Sequence, residues 1–220
     1  MTGRRGASAR KVHTELGRSL RALGSAPGGD ELAYLAATSK AEGPVRDRLA
    51  WELHRRLGDG YRVAREWRRA DLAVLTAGGD LVAQVELKVL ASFTALSDPE
   101  RERYLKYLEI DAAKMCELDE PDCEPSARYL LSVLYDVRGQ VPGDPAGIVK
   151  YAGRFNGCSQ NGTDPGVRAA ARRTWRKALE GRFDGTTDTP VEVGAGHVWG
   201  VDVSVDCFLT GPLKPVDGNY

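Results

Sequence analysis

The sequence predicts an α/β (α+β) fold, with a central mixed β-sheet flanked by helices. One observation is the spacing of Val45, Leu49, Leu53 and Leu57, which places four apolar side chains along one side of a helix. Another is the alternation of residue types over 81–89, which is typical of a strand. Because helical and strand-like segments follow one another over 220 residues, we expect a single domain with a sizeable core.

Apolar spacing and turn residues define the elements in the first half of the chain. Pro44 suits the first turn of a helix, and Gly58 and Gly60 end that helix. The Gly78-Gly79 pair predicts a hairpin turn between two strands. The predicted elements are helices over 9–23, 30–38 and about 44–57, and strands over 61–67, 70–75 and 81–90.

The second half of the chain continues the same mixture. In its last strand, three valines and Cys207 alternate with Asp202, Ser204 and Asp206, which predicts a half-buried strand. Gly/Pro-rich and polar stretches predict loops over 138–147 and 154–166. The predicted elements are helices over about 98–117 and 166–182, a strongly apolar strand over 127–137 and two closing strands within 191–211.

The composition argues against several classes of protein. The 31 Lys and Arg residues balance 31 Asp and Glu residues, so the chain is no general polycation for coating nucleic acid. No apolar run approaches the roughly 20 residues of a membrane helix. The basic N-terminus lacks the apolar core of a signal peptide, and the four cysteines have irregular spacing. We therefore expect a cytoplasmic protein with reduced thiols.

Other catalytic and cofactor motifs have little support. His13, His54 and His197 are scattered along the chain, which disfavours a histidine metal site or a Ser-His-Asp triad. Cys116 and Cys123 have poor zinc spacing and no second pair. The chain has no G-x-x-x-x-G-K-[ST] motif, so we expect no nucleotide cofactor.

Three charged residues stand out in the hairpin at 70–90. Because side chains alternate along a strand, Glu86 and Lys88 share one face, about 7 Å apart. If the preceding strand pairs through the glycine turn, Asp71 arrives beside Glu86. Two carboxylates and an ammonium suit a hard divalent ion with an aligned water, as phosphodiester hydrolysis requires. The alternative interpretation is a set of surface ion pairs.

The segment "RAD", followed by 14 residues and "ELK", resembles the motif of the PD-(D/E)XK nucleases. This restriction-endonuclease-like superfamily includes most type II restriction enzymes, Holliday-junction resolvases and phage-type exonucleases. The resemblance implies that Asp71, Glu86 and the Leu87 carbonyl bind Mg²⁺ and that Lys88 is the catalytic lysine. It covers about residues 38–138, and it departs from the pattern at Ala70, where the family has proline. That proline contributes turn geometry and no ligand.

These nucleases commonly add a glutamate from the helix before the strands. Glu42 and Glu52 are the two candidates, and we favour Glu42, which precedes the predicted helix in an E-x-x-V-R-x-x-L arrangement. The alternative role of Glu42 is a capping box with Ser39 as the N-cap. The alternative for Glu52 is a solvated helix charge.

Two segments after the predicted core are candidates for DNA contact. The basic helix carries side chains that could face phosphates, with Trp175 as its core anchor. The loop at 154–161 carries side chains suited to base edges, although a plain polar loop is the alternative. The helix candidates are Arg168, Arg172, Arg173, Arg176 and Lys177, and the loop candidates are Arg154, Asn156, Ser159, Gln160 and Asn161.

The sequence therefore predicts a Mg²⁺-dependent endonuclease that cuts double-stranded DNA, most similar to a type II restriction enzyme. The family's habit of cutting palindromes with two identical sites implies a homodimer. Residues 139–220 would supply DNA recognition and the closing strands. The alternatives are another nuclease of the same fold, such as a resolvase, a repair enzyme or an antiphage effector, and a DNA-binding domain without catalysis.

Overall fold

The computed structural model of the chain describes residues 2–25, 29–119, 125–139 and 165–214. No helix within these ranges has the length and apolar character needed to cross a membrane. The helices are α1 (Thr2–Ser25), α2 (Gly29–Thr38), α3 (Glu42–Leu57), α4 (Ser92–Leu96), α5 (Asp98–Cys116) and α6 (Pro165–Arg182). The strands are β1 (Tyr61–Trp67), β2 (Ala70–Thr76), β3 (Leu81–Ala91), β4 (Ala127–Arg138), β5 (Val191–Val198) and β6 (Val201–Thr210).

The six strands form one mixed sheet in the order β1-β2-β3-β4-β6-β5, which confirms the predicted fold class. The pair β3 and β4 is parallel, and the other neighbouring strands are antiparallel. A parallel pair requires a long crossover, and α4 and α5 lie in that connection. The crossover helix α5 consequently lies against β3, the strand that carries the E-x-K residues.

Each face of the sheet packs against its own set of helices. On one face, Val85 and Leu87 of β3 belong to a core that includes Leu16 of α1 and Leu49 of α3. On the other face, Leu90 of β3 belongs to a second core. That second core also contains Leu130 and Leu134 of β4, Phe208 of β6, Leu105 and Leu108 of α5, and Trp175 and Leu179 of α6. Glu86 and Lys88 share the strand face of Leu90, so they point toward the layer of α5 and α6.

The prediction of a half-buried last strand was wrong for two of its polar residues. Asp202 is exposed, but Ser204 and Asp206 are buried, with relative exposures of 3% and 1%. The reason is that α6 covers this face, and its Arg168 forms hydrogen bonds of 2.8 and 2.7 Å with the Asp206 carboxylate. Alternation of residue types therefore reported the two faces correctly but not how much each is covered.

Candidate active site

The carboxylates of Asp71 and Glu86 lie side by side on neighbouring strands. Leu72 of β2 pairs with Val85 of β3, so the next position in the antiparallel register sets Asp71 opposite Glu86. The Asp71 amide nitrogen lies 3.4 Å from Glu86 Oε2, and the Leu87 amide donates to Asp71 Oδ2 at 2.7 Å. The hairpin thus brings both acids and the backbone of Leu87 to one place.

Lys88 lies on the same strand face as Glu86, but its closest acid comes from a helix. Its Nζ forms an ion pair of 2.7 Å with Asp111 Oδ2 of α5. The other carboxylate oxygen of Asp111 lies 3.2 Å from Lys114 Nζ. Burial alone would lower the pKa of Lys88, but Asp111 and the nearby acids outweigh burial and raise that pKa. Lys88 is therefore a fixed cation beside the two carboxylates.

Asp111 is the site residue that our sequence interpretation missed. The signal was present, since Asp111 follows Tyr104 and Leu108 on the buried side of α5 and precedes Met115 there. An acid on the apolar side of a helix is rare unless it is paired. Gln84 of β3 donates to the Met115 carbonyl at 3.0 Å, which fixes the end of α5 over the strand and holds Asp111 above Lys88.

Glu42 is the helix-borne acid that the structure brings to this site. It is the first residue of α3 and is partly buried. Burial and the charge of Asp71 raise the pKa of Glu42, while Lys88 lowers it. Glu42, Asp71, Glu86 and Lys88 therefore form one electrostatic group. Asp111 of α5 joins this group through its ion pair with Lys88 and through its charge near Glu86.

Glu52 lies elsewhere and has a different role. Its carboxylate accepts hydrogen bonds from Arg55 at 2.9 Å and from Arg56 at 2.8 Å on the same helix. Glu52 is only 9% exposed, so its interpretation as a solvated charge was wrong. The proposed cap at Ser39 was also wrong, because the Ser39 hydroxyl donates to the Leu35 carbonyl at the end of α2.

Glu86 carries the clearest electrostatic signature of the site. Burial, with the charges of Asp71 and Asp111, raises the pKa of Glu86 from 4.5 to about 8. The Asp71 amide and Lys88 act in the opposite direction but do not cancel these effects. A cation placed between Asp71 and Glu86 would remove the mutual repulsion of the two carboxylates.

The donor set at this position fits Mg²⁺. Within the described ranges, no three His, Cys, Asp or Glu side chains are grouped so as to hold a metal ion by themselves. Mg²⁺ does not require such a group, because it is usually held by one or two carboxylates together with waters and substrate phosphate. The Asp71 and Glu86 carboxylates, with the Leu87 carbonyl, would supply oxygen ligands of this kind.

Most of the side chains of α6 that were predicted to contact DNA form hydrogen bonds within the fold instead. Arg168 bonds Asp206, and Arg172 lies 3.3 Å from the Pro190 carbonyl. Arg176 lies 2.8 Å from Glu180 on its own helix. Arg173 and Lys177 are exposed, and Trp175 is fully buried, as predicted for a core anchor. The loop candidates Arg154, Asn156, Ser159, Gln160 and Asn161 lie outside the described residues.

A second group of charges lies on the same side of the sheet, under α6. Glu192 of β5 pairs in register with Asp206 of β6, and Arg168 contacts both carboxylates. Asp136 of β4, 1% exposed, pairs in register with Ser204. Burial raises the pKa of Asp136, as does Asp206, and nearby arginines lower it. Arg168 supplies the counter-charge for Glu192 and Asp206, and Arg138 Nε lies 3.8 Å from Asp136.

The remaining candidates from the sequence have ordinary surroundings. His197 of β5 is exposed and its Nδ1 lies 3.0 Å from Asp202 Oδ1. His54 is exposed on α3. Cys116 and Cys207 are free thiols.

Comparisons of this chain with protein-family models, with curated proteins and with solved structures found no match.

Proposed function

We propose that this protein is a Mg²⁺-dependent DNA endonuclease of the PD-(D/E)XK type, most similar to a type II restriction enzyme. The observation that carries the proposal is the meeting of Asp71, Glu86, Lys88 and Glu42 at one position of the sheet. The order of elements also supports it. An acid-bearing helix precedes the hairpin, and a helix packed on the E-x-K strand follows.

In this proposal each side chain has a distinct task. Asp71 and Glu86, with the Leu87 carbonyl, would hold Mg²⁺, and Glu42 adds negative charge beside them. Bound Mg²⁺ would polarise the phosphate and lower the pKa of a coordinated water. Lys88 orients the attacking water and stabilises the charge that develops on the phosphate oxygens. Asp111 positions Lys88 through their 2.7 Å ion pair.

The same proposal covers the assembly, the substrate, the compartment and the product. A homodimer would place two such sites on the two strands of a palindrome. Double-stranded DNA is the substrate, and the protein acts in the cytoplasm, to which its free thiols Cys116 and Cys207 are suited. The 5′-phosphate product and inversion at phosphorus are what the family resemblance implies.

The test is cleavage of plasmid and phage DNA in Mg²⁺, with an EDTA control. We expect discrete fragments from the wild type and none from Lys88→Ala. Lys106→Ala is the matched control, because Lys106 is an exposed lysine on α5. It should cut like the wild type.

Other outcomes distinguish the alternatives. A smear, or cuts only at branched DNA, would indicate a different nuclease of the same fold. Binding of DNA without cleavage under any divalent ion would indicate a non-catalytic DNA-binding domain. Cleavage that survives in Lys88→Ala would reject the assignment of Lys88.

A further inference from the structure

Residues 66–69, which comprise the end of β1 and its turn to β2 and are called the 66–69 turn below, have an uncommon backbone conformation just before Asp71. Glu66, Arg68 and Arg69 have φ angles of 53°, 47° and 83°, in the left-handed region that favours glycine. The next hairpin meets a similar demand with a glycine, Gly79, at φ 98°. Non-glycine residues in this region are strained, and such strain is concentrated at functional sites. Side chains are present at 66, 68 and 69 although glycine would avoid the strain, which indicates that these side chains have a role.

Ion pairs hold this turn against the helix that carries Glu42. Arg46 of α3 lies 2.6 Å from Glu66 and 3.0 Å from Asp47. Arg65 lies 3.1 Å from the other oxygen of Asp47. Asp47 at the start of α3 and Glu66 in the turn are therefore already paired with other arginines. The turn and the start of α3 form one supported unit beside the active site.

Arg68 and Arg69 are the cations that this arrangement leaves over. Both side chains are exposed, and neither has an ion-pair partner among the described residues. The Arg68 guanidinium lies 4.6 Å from the centre of the Trp67 ring, which limits its motion without neutralising its charge. On α6, by contrast, Arg168, Arg172 and Arg176 are engaged within the fold.

The position of the two arginines suits a polyanion that enters the site. Arg69 precedes Asp71 by two residues, so their Cα atoms are at most about 7 Å apart. Successive phosphates of a nucleic-acid strand are separated by a similar distance. An acidic site repels a phosphate chain, and adjacent cations offset that repulsion before and after a metal ion binds. Arginine also matches the geometry of phosphate oxygens.

We propose that Arg68 and Arg69 bind backbone phosphates of DNA next to the scissile phosphate, so that the 66–69 turn is a nucleic-acid contact surface. The proposal rests on the nuclease function proposed above and adds a surface to it. Contacts to phosphates position the strand and carry no sequence information.

The test is the salt dependence of binding to a short DNA duplex, measured by fluorescence anisotropy in the Lys88→Ala background. Removing both charges in Arg68→Ala/Arg69→Ala should weaken binding by about tenfold and lower the slope of log K against log salt by about 2. Arg68→Lys/Arg69→Lys should keep most of the slope. Arg10→Ala/Arg21→Ala, which removes two exposed charges on α1, is the matched control and should change the slope less.

A glycine variant separates loss of binding from loss of folding. Arg68→Gly/Arg69→Gly removes the charges and relieves the left-handed backbone, so DNA binding should weaken while the Tm is no lower than that of the wild type. An unchanged salt slope in both double variants, with the wild type cutting DNA, would overturn this inference and leave the nuclease function intact. A wild type that neither binds nor cuts DNA would overturn both.

Discussion

Two cross-strand pairs of acids lie in the same sheet, and the fold treats them differently. Glu192 and Asp206 are opposite one another on β5 and β6, and Arg168 of α6 contacts both. Asp71 and Glu86 are opposite one another on β2 and β3, and no arginine or lysine forms an ion pair with either of them among the described residues. We call the first pair closed, because Arg168 supplies its counter-charge. We call the second pair open, because no cation of the described residues forms an ion pair with it.

A lysine lies near the open pair, but it forms its ion pair with a different acid. Lys88 lies on the same strand face, but its ammonium pairs with Asp111. The charge of Asp111 also adds to the rise in the pKa of Glu86. An acid pair is therefore a candidate metal site when no cation of the protein is paired with it, because a cation from solution can then bind between the two carboxylates.

The largest expected difference between the two pairs is in catalysis. If the proposed function holds, Glu86→Gln should lower the rate of DNA cleavage by about a thousandfold or more, because it would remove a charged ligand of the proposed Mg²⁺. Glu192→Gln, the same change in the closed pair, should leave the rate within a few fold. Single-turnover cleavage at saturating Mg²⁺ measures both. Equal losses in the two variants would remove the distinction between the pairs.

For the free energy of unfolding we expect the opposite, with the larger effect at the closed pair. Arg168→Ala leaves Asp206, 1% exposed, as a buried acid without its partner, and should lower the free energy of unfolding by about 3 kcal/mol or more. Adding Asp206→Asn to that variant should restore part of the loss, because the most buried partner of Arg168 then carries no charge. Urea unfolding monitored by tryptophan fluorescence measures both variants. Lys88→Ala should have a smaller effect than Arg168→Ala, since Lys88 is more exposed to water.

A divalent ion should stabilise the protein through the open pair alone. At a Ca²⁺ or Mg²⁺ concentration near one hundred times the dissociation constant, the Tm should rise by about 5 to 10 °C. The rise should disappear in Glu86→Gln and persist in Glu192→Gln. Thermal unfolding with and without the ion measures it. A rise of equal size in both variants would locate ion binding elsewhere.

The pH dependence of stability in the absence of metal should be the smallest of these effects. The pKa of Glu86 is about 8 in the folded protein and ordinarily 4.5, so the folded state holds the proton more tightly between these values. The free energy of unfolding should therefore fall as the pH rises from about 5 to about 8, by on the order of 2 kcal/mol after screening by solvent. Glu86→Gln should remove this fall, and urea unfolding across that pH range would detect it. A wild type with flat stability would contradict the raised pKa.

Local patterns in the sequence predicted the strand face of the site well. The two-residue period of β3 placed Glu86 and Lys88 together, and the glycine turn predicted the pairing that brings Asp71 to Glu86. The same kind of pattern failed at β6, where Asp206 is buried. Periodicity states which side chains share a face, but the cover over that face comes from a helix distant in sequence.

Choices between distant partners needed the tertiary structure. Glu42 and Glu52 lie on one helix, and only the packing of α3 brings Glu42 to the open pair while Glu52 pairs with arginines of its own helix. Asp111 and the turn at 66–69 were missed for the same reason. A pair of side chains on separate elements leaves no periodic trace in either of them.

The mixed fold class, the hairpin and the shared strand face of Glu86 and Lys88 were predictable from local patterns, because hydrophobic periodicity and turn chemistry act over a few residues. Local patterns did not predict which charges are neutralised within the fold and which stay available. That outcome depends on where α5 and α6 pack, since electrostatic compensation is set by distances of a few ångströms between elements far apart in the chain. Arg168 pairs with Asp206 and so closes the pair on β5 and β6. Lys88 pairs with Asp111, so the pair on β2 and β3 stays open.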